Sequence, residues 1–333
     1  MIPFSVLDLA PIVEGGDITQ ALANSRDLAR HAERLGYQRF WLAEHHAMPG
    51  IASSATSLAM MNAAGATKTI RVGAGGIMLP NHAPIVIAEQ FGTLEALYPG
   101  RIDLGLGRAP GGDRAVMQAL RRTLIGGEDR FPQDVLELQA LLGPSEPNQA
   151  VRAVPGENSN VPLWILGSST YGAQLAAMLG LPFAFASHFA PAQMMEALAL
   201  YRGRFKPSAM LKEPYVMLGF NIFAAPSDDE GRLLSSSLMK AFVSLRRGTP
   251  QKLQPPDAEF ESTLNVTERA QLEMVLACSA IGSPRTVKRS IEAFIRRTGA
   301  DELILASHIY DHEARVRAYE LAAEVRDQLI AEA

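Results

Sequence analysis

A carboxylate and two imidazoles stand side by side at Glu44-His45-His46, directly after the apolar run Tyr37-Gln-Arg-Phe-Trp-Leu-Ala43. A run of that length reads as a strand, and the carboxyl end of a buried parallel strand is where α/β enzymes place their reactive groups. A neutral imidazole there can accept or donate a proton near neutral pH, which suits general base work. Metal ligation is the competing chemistry. Adjacent strand residues point to opposite faces, so His45 and His46 cannot both reach one ion without distortion, and the HxH spacing of barrel hydrolases is absent. For one of the pair the plain role, a histidine satisfied in the core or left exposed, is expected.

A second group of residues could hold an anion. Arg108 lies in Leu104-Gly-Leu-Gly-Arg-Ala-Pro-Gly-Gly112, where its planar fork suits phosphate oxygens and the glycines allow close backbone approach. Gly167-Ser168-Ser169-Thr170 precedes Leu175, Ala176 and Leu179, so the serines sit where a helix begins and its free N–H groups attract phosphate. Each has an ordinary alternative: Arg108 could pair with Asp103 or Asp113, and Ser168 or Ser169 could simply cap the helix. Gly105-x-Gly107-x-x-Pro110 is not a dinucleotide fingerprint, because proline replaces the third glycine.

These residues need a frame that brings strand ends together. Short apolar runs alternate with helical patterns along the chain: Phe4 to Leu9, Arg39 to Ala43, Ile70 to Ile77, Ile102 to Leu106, Pro162 to Leu166, Phe183 to Ala186, Val216 to Ala224 and Glu302 to Ala306. Eight strand-helix units close a (β/α)8 barrel, and no obvious linker divides them, so residues 1–333 are expected to form one α/β TIM-barrel domain. The strand ends would then converge in one mouth containing Asp8, Glu44, His45, His46, Gly75, Gly76, Arg108, Ser168, Ser169, His188, Asn221 and His308. Helix punctuation agrees: Thr19 is a candidate cap for the first helix and Gly36 its stop, Pro84, Pro191 and Pro284 fit first helical positions, and Gly180 and Gly299 fit helix ends. His31 and His312 read as helix-surface positions.

Two gaps exceed a normal βα unit, from Pro110 to Val161 after the fourth strand and from Ser227 to Ser283 after the seventh. The second holds Leu245-Arg246-Arg247-Gly-Thr-Pro-Gln-Lys252-Leu-Gln-Pro-Pro256, which could act as a lid with Arg246, Arg247 or Lys252 turned to an anionic ligand.

The chain has 47% hydrophobic and 20% charged residues, a net charge of -4 and a pI near 6.0. That balance gives no electrostatic footprint for nucleic acid or an anionic membrane, and no apolar stretch is long enough to span a bilayer. Cys278 is the single cysteine, which excludes an internal disulfide and fits the cytoplasm.

Trp41-x-x-Glu44-His45-His46, Gly73-Ala-Gly75-Gly76-Ile-Met-Leu79-Pro80, Glu89, Tyr98-Pro-Gly-Arg101-Ile-Asp-Leu-Gly-Leu-Gly-Arg108 and Gly167-Ser168-Ser169, in this order, resemble the bacterial luciferase-like flavin-dependent monooxygenases of the alkanal monooxygenase-like subgroup. The likeness runs from Phe4 to about Phe189 and continues more loosely through Gly282-Ser-Pro284. It implies a (β/α)8 barrel that takes reduced FMN from a separate flavin reductase, forms a flavin C4a-peroxide with O2 and oxidises a small organic substrate such as an aldehyde, as a homodimer. By position it implies that His45 is catalytic, Glu89 a flavin-pocket carboxylate and Arg108 the phosphate-binding arginine. Gly75-Gly76 matches a non-prolyl cis peptide beside the flavin ring, and a cis bond is least obstructed between two glycines. Gly107 stands where luciferase has a cysteine, which argues against light emission but not against flavin. A deazaflavin-dependent oxidoreductase of the same superfamily, a non-catalytic flavin-binding protein and a metal-dependent hydrolase are the alternatives.

Overall fold

In the computed structural model, residues 2–109, 114–120, 130–145 and 150–332 are described. The strands are β1 (Phe4–Asp8), β2 (Arg39–Leu42), β3 (Arg71–Met78), β4 (Ile102–Gly107), β5 (Leu163–Gly167), β6 (Phe183–Phe185), β7 (Val216–Ala224), β8 (Ser279–Gly282) and β9 (Glu302–Ala306). All pair in parallel, in the order β1 to β7, then β9, and β9 returns to β1. The result is a closed eight-stranded parallel barrel wrapped by helices, a TIM barrel. Each of the eight expected runs forms a barrel strand, its ends displaced by a residue at most.

β8 was not expected, and it is not a barrel strand. β6 pairs only with Val216 to Leu218 of the long β7, whereas β8 pairs with Asn221 to Ala224. The Tyr215 carbonyl accepts from β6 and the Asn221 and Ala225 N–H groups donate to the β8 segment. These positions are even steps apart, so β8 continues the edge that short β6 vacates.

The helices are α1 (Ile18–Arg34), α2 (Thr56–Ala64), α3 (Pro84–Leu97), α4 (Arg114–Ala119), α5 (Phe131–Leu142), α6 (Thr170–Leu179), α7 (Met194–Arg204), α8 (Asp228–Arg246), α9 (Val266–Leu276), α10 (Pro284–Thr298) and α11 (His312–Ala331). The insertion after β4 carries α4 and α5, and that after β7 carries α8, α9 and β8. Residues 110–113 of the Arg108 loop, with Gly112 and Asp113, and residues 121–129 and 146–149 of the first insertion lie outside the described residues.

Helix punctuation needs two corrections. Asp17, not Thr19, caps α1, since its carboxylate accepts from the Gln20 N–H at 2.8 Å and satisfies a donor that has no intrahelical partner. Pro191 lies in the turn before α7, its carbonyl accepting from the Met194 N–H. Pro84 and Pro284 do open α3 and α10, and Gly180 and Gly299 end α6 and α10 in the left-handed conformation at φ 64° and 59°.

The two ends of the barrel interior differ in kind. At the amino end, Asp103 is held by Arg39 at 2.7 Å, by Arg71 at 2.6 Å and by Trp41 Nε1 at 3.2 Å. Glu302 accepts from Arg39 at 3.1 Å, from Tyr215 at 2.8 Å and from Ser5. This buried network plugs the floor with its charges paired, as a stabilising face requires. Above it pack Leu7, Trp41, Ala43, Trp164, Ala184, Met217, Ile304 and Ala306, and above those the carboxyl ends open.

Candidate active site

Strand alternation sorts the opening motif. Glu44 is buried and accepts from His46 Nε2 at 2.7 Å, His82 Nε2 at 2.9 Å, the Met78 N–H at 2.9 Å and Asn81 at 3.3 Å. Burial acts to raise its pKa, but the bonds from His82, His46 and Met78 outweigh it and hold the carboxyl below its ordinary value. Glu44 is therefore a fixed anchor, and His46 is the satisfied member of the pair. His45 turns the other way, half-buried, with its Nδ1 sealed from solvent and without a partner. Burial lowers its pKa, with Glu44 opposing and His46 adding to the shift, so the ring is neutral at neutral pH.

Two further histidines share this space. His188 follows β6 and His308 follows β9. The His188 carbonyl accepts from Asn221 Nδ2 at 2.8 Å, and its ring lies so close on β7 that a Cβ at Gly219 would fall 2.0 Å from Nδ1. Burial pushes His188 down to about 3, with His308 and His45 contributing, and His308 down to about 4, with Asp8 opposing and Arg315 and His45 contributing. All three rings thus sit within electrostatic reach of one another. The sequence marked His188 and His308 only as residues of the mouth, because nothing local distinguishes a strand-end histidine that joins a cluster from one that does not.

Unpartnered buried polar atoms gather at this end. Asp8 Oδ2, His45 Nδ1, His188 Nδ1, Ser307 Oγ and His308 Nδ1 lie at or just beyond strand ends, and Asn221 Oδ1 lies within β7 level with Ala306, the last residue of β9; Glu95, Ser159 and Ser237 supply the others among the described residues. Native interiors leave few such groups unsatisfied, and a concentration of them marks a ligand site. Behind them, Asp8 pairs with Arg315 of α11 at 3.1 Å, both nearly fully buried. Arg315 also meets His312 Nδ1 at 3.2 Å, and His312 Nε2 reaches Asp27 at 3.0 Å. His312, expected on a helix surface, instead bridges α11 and α1.

The histidine cluster makes stability pH-dependent. His188 and His308 titrate at about 3 and 4 in the folded protein against an ordinary 6.5, so the unfolded chain holds more protons between those values. Stability should rise with pH across that window and be lost as pH falls from 6.5 toward 4. His188 faces His308 and His45, and His308 faces Asp8, Arg315 and His45. Urea midpoints at several pH values should show this slope flattened in a His188→Phe/His308→Phe variant; an unaltered slope in that folded variant would contradict it.

The residues expected to bind an anion meet on another part of the rim. The Arg108 guanidinium stacks over Tyr171, in the first turn of α6, with Cζ 4.0 Å from the ring centre. Ser169 occupies the N-cap position, but its hydroxyl does not bond the helix, and Ser168 is exposed. The first N–H groups of α6 therefore lack a side-chain cap beside a cation. Asp103 is engaged by Arg39 and Arg71 and is not the partner of Arg108.

The Gly75–Gly76 peptide is cis, as the resemblance implied. A Cβ at Gly76 would lie 2.7 Å from the Gly105 carbonyl oxygen, so backbone bars a side chain there, and one at Gly75 would lie 2.8 Å from Leu7 Cδ1, a side-chain tip that would have to move. The Glu44 N–H donates to the Gly76 carbonyl at 3.2 Å, tying the glycines to the histidine motif. Glu89 is not drawn into this group: it sits half-buried on α3, outside the strand ends.

The segment expected to be a lid is already held. Leu253 forms a bridge to Val13, with the Leu253 N–H donating to the Ile12 carbonyl at 2.9 Å and the Glu14 N–H to the Leu253 carbonyl at 2.8 Å. Its cations have protein partners: Arg246 lies over Phe242, Arg247 pairs with Glu268 at 2.7 Å and Lys252 donates to the Gly16 carbonyl at 2.8 Å. Among the described residues no group of three or more His, Cys, Asp or Glu could hold a metal ion, and no helix is long and apolar enough to cross a membrane.

Comparison with known proteins defines the class. Residues 2–302 match the family model of luciferase-like monooxygenases. The chain is 51% identical over 329 residues to a luciferase-like monooxygenase of Escherichia coli K12, covering 99% of this chain and 98% of that one. Among solved structures, apo-MsnO8 superposes with a TM-score of 0.90 at 35% identity, over 98% of this chain and 99% of that one. The FMN complex of the oxygenating constituent of 3,6-diketocamphane monooxygenase from Pseudomonas putida shares the fold at 18% identity, with a TM-score of 0.72 over 97% and 96% of the two chains. The chain belongs to the luciferase-like monooxygenase family.

Proposed function

We propose that this protein is a monooxygenase that uses reduced FMN and O2 to oxidise a small organic substrate, the FMN being supplied by a separate flavin reductase. The observation that carries this reading is the meeting of Arg108 with the uncapped start of α6, at the same end of the barrel as the neutral histidine cluster. Arg108, Ser168, Ser169 and the α6 N–H groups fit a phosphate, because a cation and free donors converge there. Gly75 and Gly76 present bare backbone against which a planar ring can lie. The Glu89 carboxylate, on α3 and away from the strand ends, is proposed as a flavin contact from its place in the family pattern alone. Bound reduced flavin supplies the electrons that activate O2. His45, neutral and anchored through its neighbour Glu44, can hold or move a proton at its open ring edge.

Arg108→Ala tests the phosphate assignment. It should weaken FMN binding by about 1.5 to 3 kcal/mol, the worth of a hydrogen bond to a charged group, and leave riboflavin binding nearly unchanged. Equal losses for the two flavins in calorimetric titration would show that Arg108 does not contact the phosphate.

A further inference from the structure

We propose that Trp41, Trp164 and Tyr215 form a one-electron conduit from just below the barrel mouth to the amino end of the barrel, discharging an oxidant formed in the mouth when no substrate is present. This rests on the reading of the mouth as a monooxygenase site and adds a protective activity to it.

The chain has two tryptophans, and both stand in this line. Trp41 lies just below the mouth: a Cβ at Gly75 would fall 3.1 Å from its Cε3, and its Nε1 lies against Gly73 and donates to Asp103 at 3.2 Å. Trp41 meets Trp164 edge to face with ring centres 5.2 Å apart, and Trp164 meets Tyr215 in the same way at 5.7 Å. Both indoles are buried, whereas Tyr215, directly before β7, is half-buried at the amino end. The line therefore crosses the barrel interior from the glycines proposed to face flavin to a residue that solvent reaches.

Packing alone does not select these side chains. Barrel interiors are filled mainly by branched aliphatic residues, and the rest of this layer is Leu7, Ala43, Ala184, Met217, Ile304 and Ala306. Indole and phenol are the rings that yield single electrons, and their polar partners match that chemistry. A phenol releases its proton when it loses an electron, and the Tyr215 hydroxyl already donates to Glu302 Oε2 at 2.8 Å. The Arg39 guanidinium stands over the Trp164 ring at 4.8 Å, so positive charge does not rest there and passes to Tyr215, which sheds it with the proton.

The oxidant, a reactive oxygen species, takes one electron from Trp41; Trp41 recovers it from Trp164, and Trp164 from Tyr215, whose phenolic proton moves to Glu302. A neutral tyrosyl radical then lies beside a protonated carboxylate. A thiolate in solution returns one electron, becoming a thiyl radical, and Glu302 returns the proton.

Ultraviolet flash photolysis of the whole flavin-free protein creates the electron vacancy within the line itself, because the chain has no other tryptophan. The tryptophan radical should decay as tyrosyl absorption rises. Tyr215→Phe, which keeps the ring and removes the hydroxyl, should abolish the tyrosyl signal and lengthen the life of the tryptophan radical. No tyrosyl signal in the unaltered protein, or the same signal in Tyr215→Phe, would overturn the proposal, and a tyrosyl lifetime unaltered by added cysteine would overturn its discharge step. Oxidised FMN, bound and excited by blue light, is the one-electron oxidant for the mouth end: the tyrosyl radical should form again and be lost in Trp41→Phe and in Tyr215→Phe. Bound FMN that gives no tyrosyl radical overturns the link to the mouth. Absence of FMN binding, titrated separately, overturns the cofactor reading, while the ultraviolet result still decides the conduit.

Discussion

His45→Ala is expected to slow substrate oxidation by about 100-fold or more, the usual worth of a positioned proton-transfer group, while FMN affinity stays within a few fold. The expectation follows from how the neighbouring side chains are engaged. Glu44 and His46 bond each other, and His82 completes the set, so none is free to act on a ligand. His45 has no such partner, is held neutral by burial and faces the space shared with His188 and His308. His46→Ala is the informative control. It removes one donor to a buried carboxylate that keeps His82 and Met78, and should lower stability more than turnover. Product formed from a panel of aldehydes, ketones and thioethers, with reduced FMN supplied, reads the first effect, and flavin titration reads the second. Full turnover by a folded His45→Ala protein would return His45 to the role of an ordinary half-buried histidine.

The largest stability effect is expected at Arg315. Arg315→Met removes the partner of Asp8 at a depth where both side chains are nearly inaccessible, and breaking one side of a buried pair costs about 3 to 5 kcal/mol. The loss should exceed that of a surface pair such as Arg317 with Glu320, which contributes at most about 1 kcal/mol. Because the penalty comes from the stranded carboxylate, adding Asp8→Leu should recover part of it. A double-mutant cycle by urea denaturation measures the coupling. Additive losses would show that the pair is not energetically linked.

These two sites were not equally legible from the sequence. The barrel was, because parallel strands buried on both faces are continuous apolar runs and eight of them recur at βα spacing. β8 was not: Ser279-Ala-Ile-Gly282 has one large apolar side chain and pairs only with the overhang of β7, a length that depends on how short β6 is. The split between His45 and His46 followed from strand alternation. The meeting of Arg108 with α6 was suggested by a glycine-flanked arginine and a serine pair, but Tyr171, which fixes the guanidinium there, carried no signal beyond its place in a helix. Asp8 and Arg315 lie 307 positions apart, and only the closure of β9 onto β1 brings α11 over the first strand. The segment around Leu253 read equally as a lid or as a solvated connection, because a glycine, prolines and three cations interrupt the helical stretches there. Its backbone bonds to the loop after β1 are invisible to composition, since they depend on exposed main chain rather than on side-chain type.

The most direct test of the central claim is anaerobic titration of the protein with reduced FMN, with reduced deazaflavin F420 titrated in parallel. The geometry at Arg108 and the first turn of α6 predicts saturable binding of reduced FMN, one per chain, tighter than that of the deazaflavin, with oxygen taken up when air is admitted. Tight binding of the deazaflavin with no saturable binding of reduced FMN would contradict it.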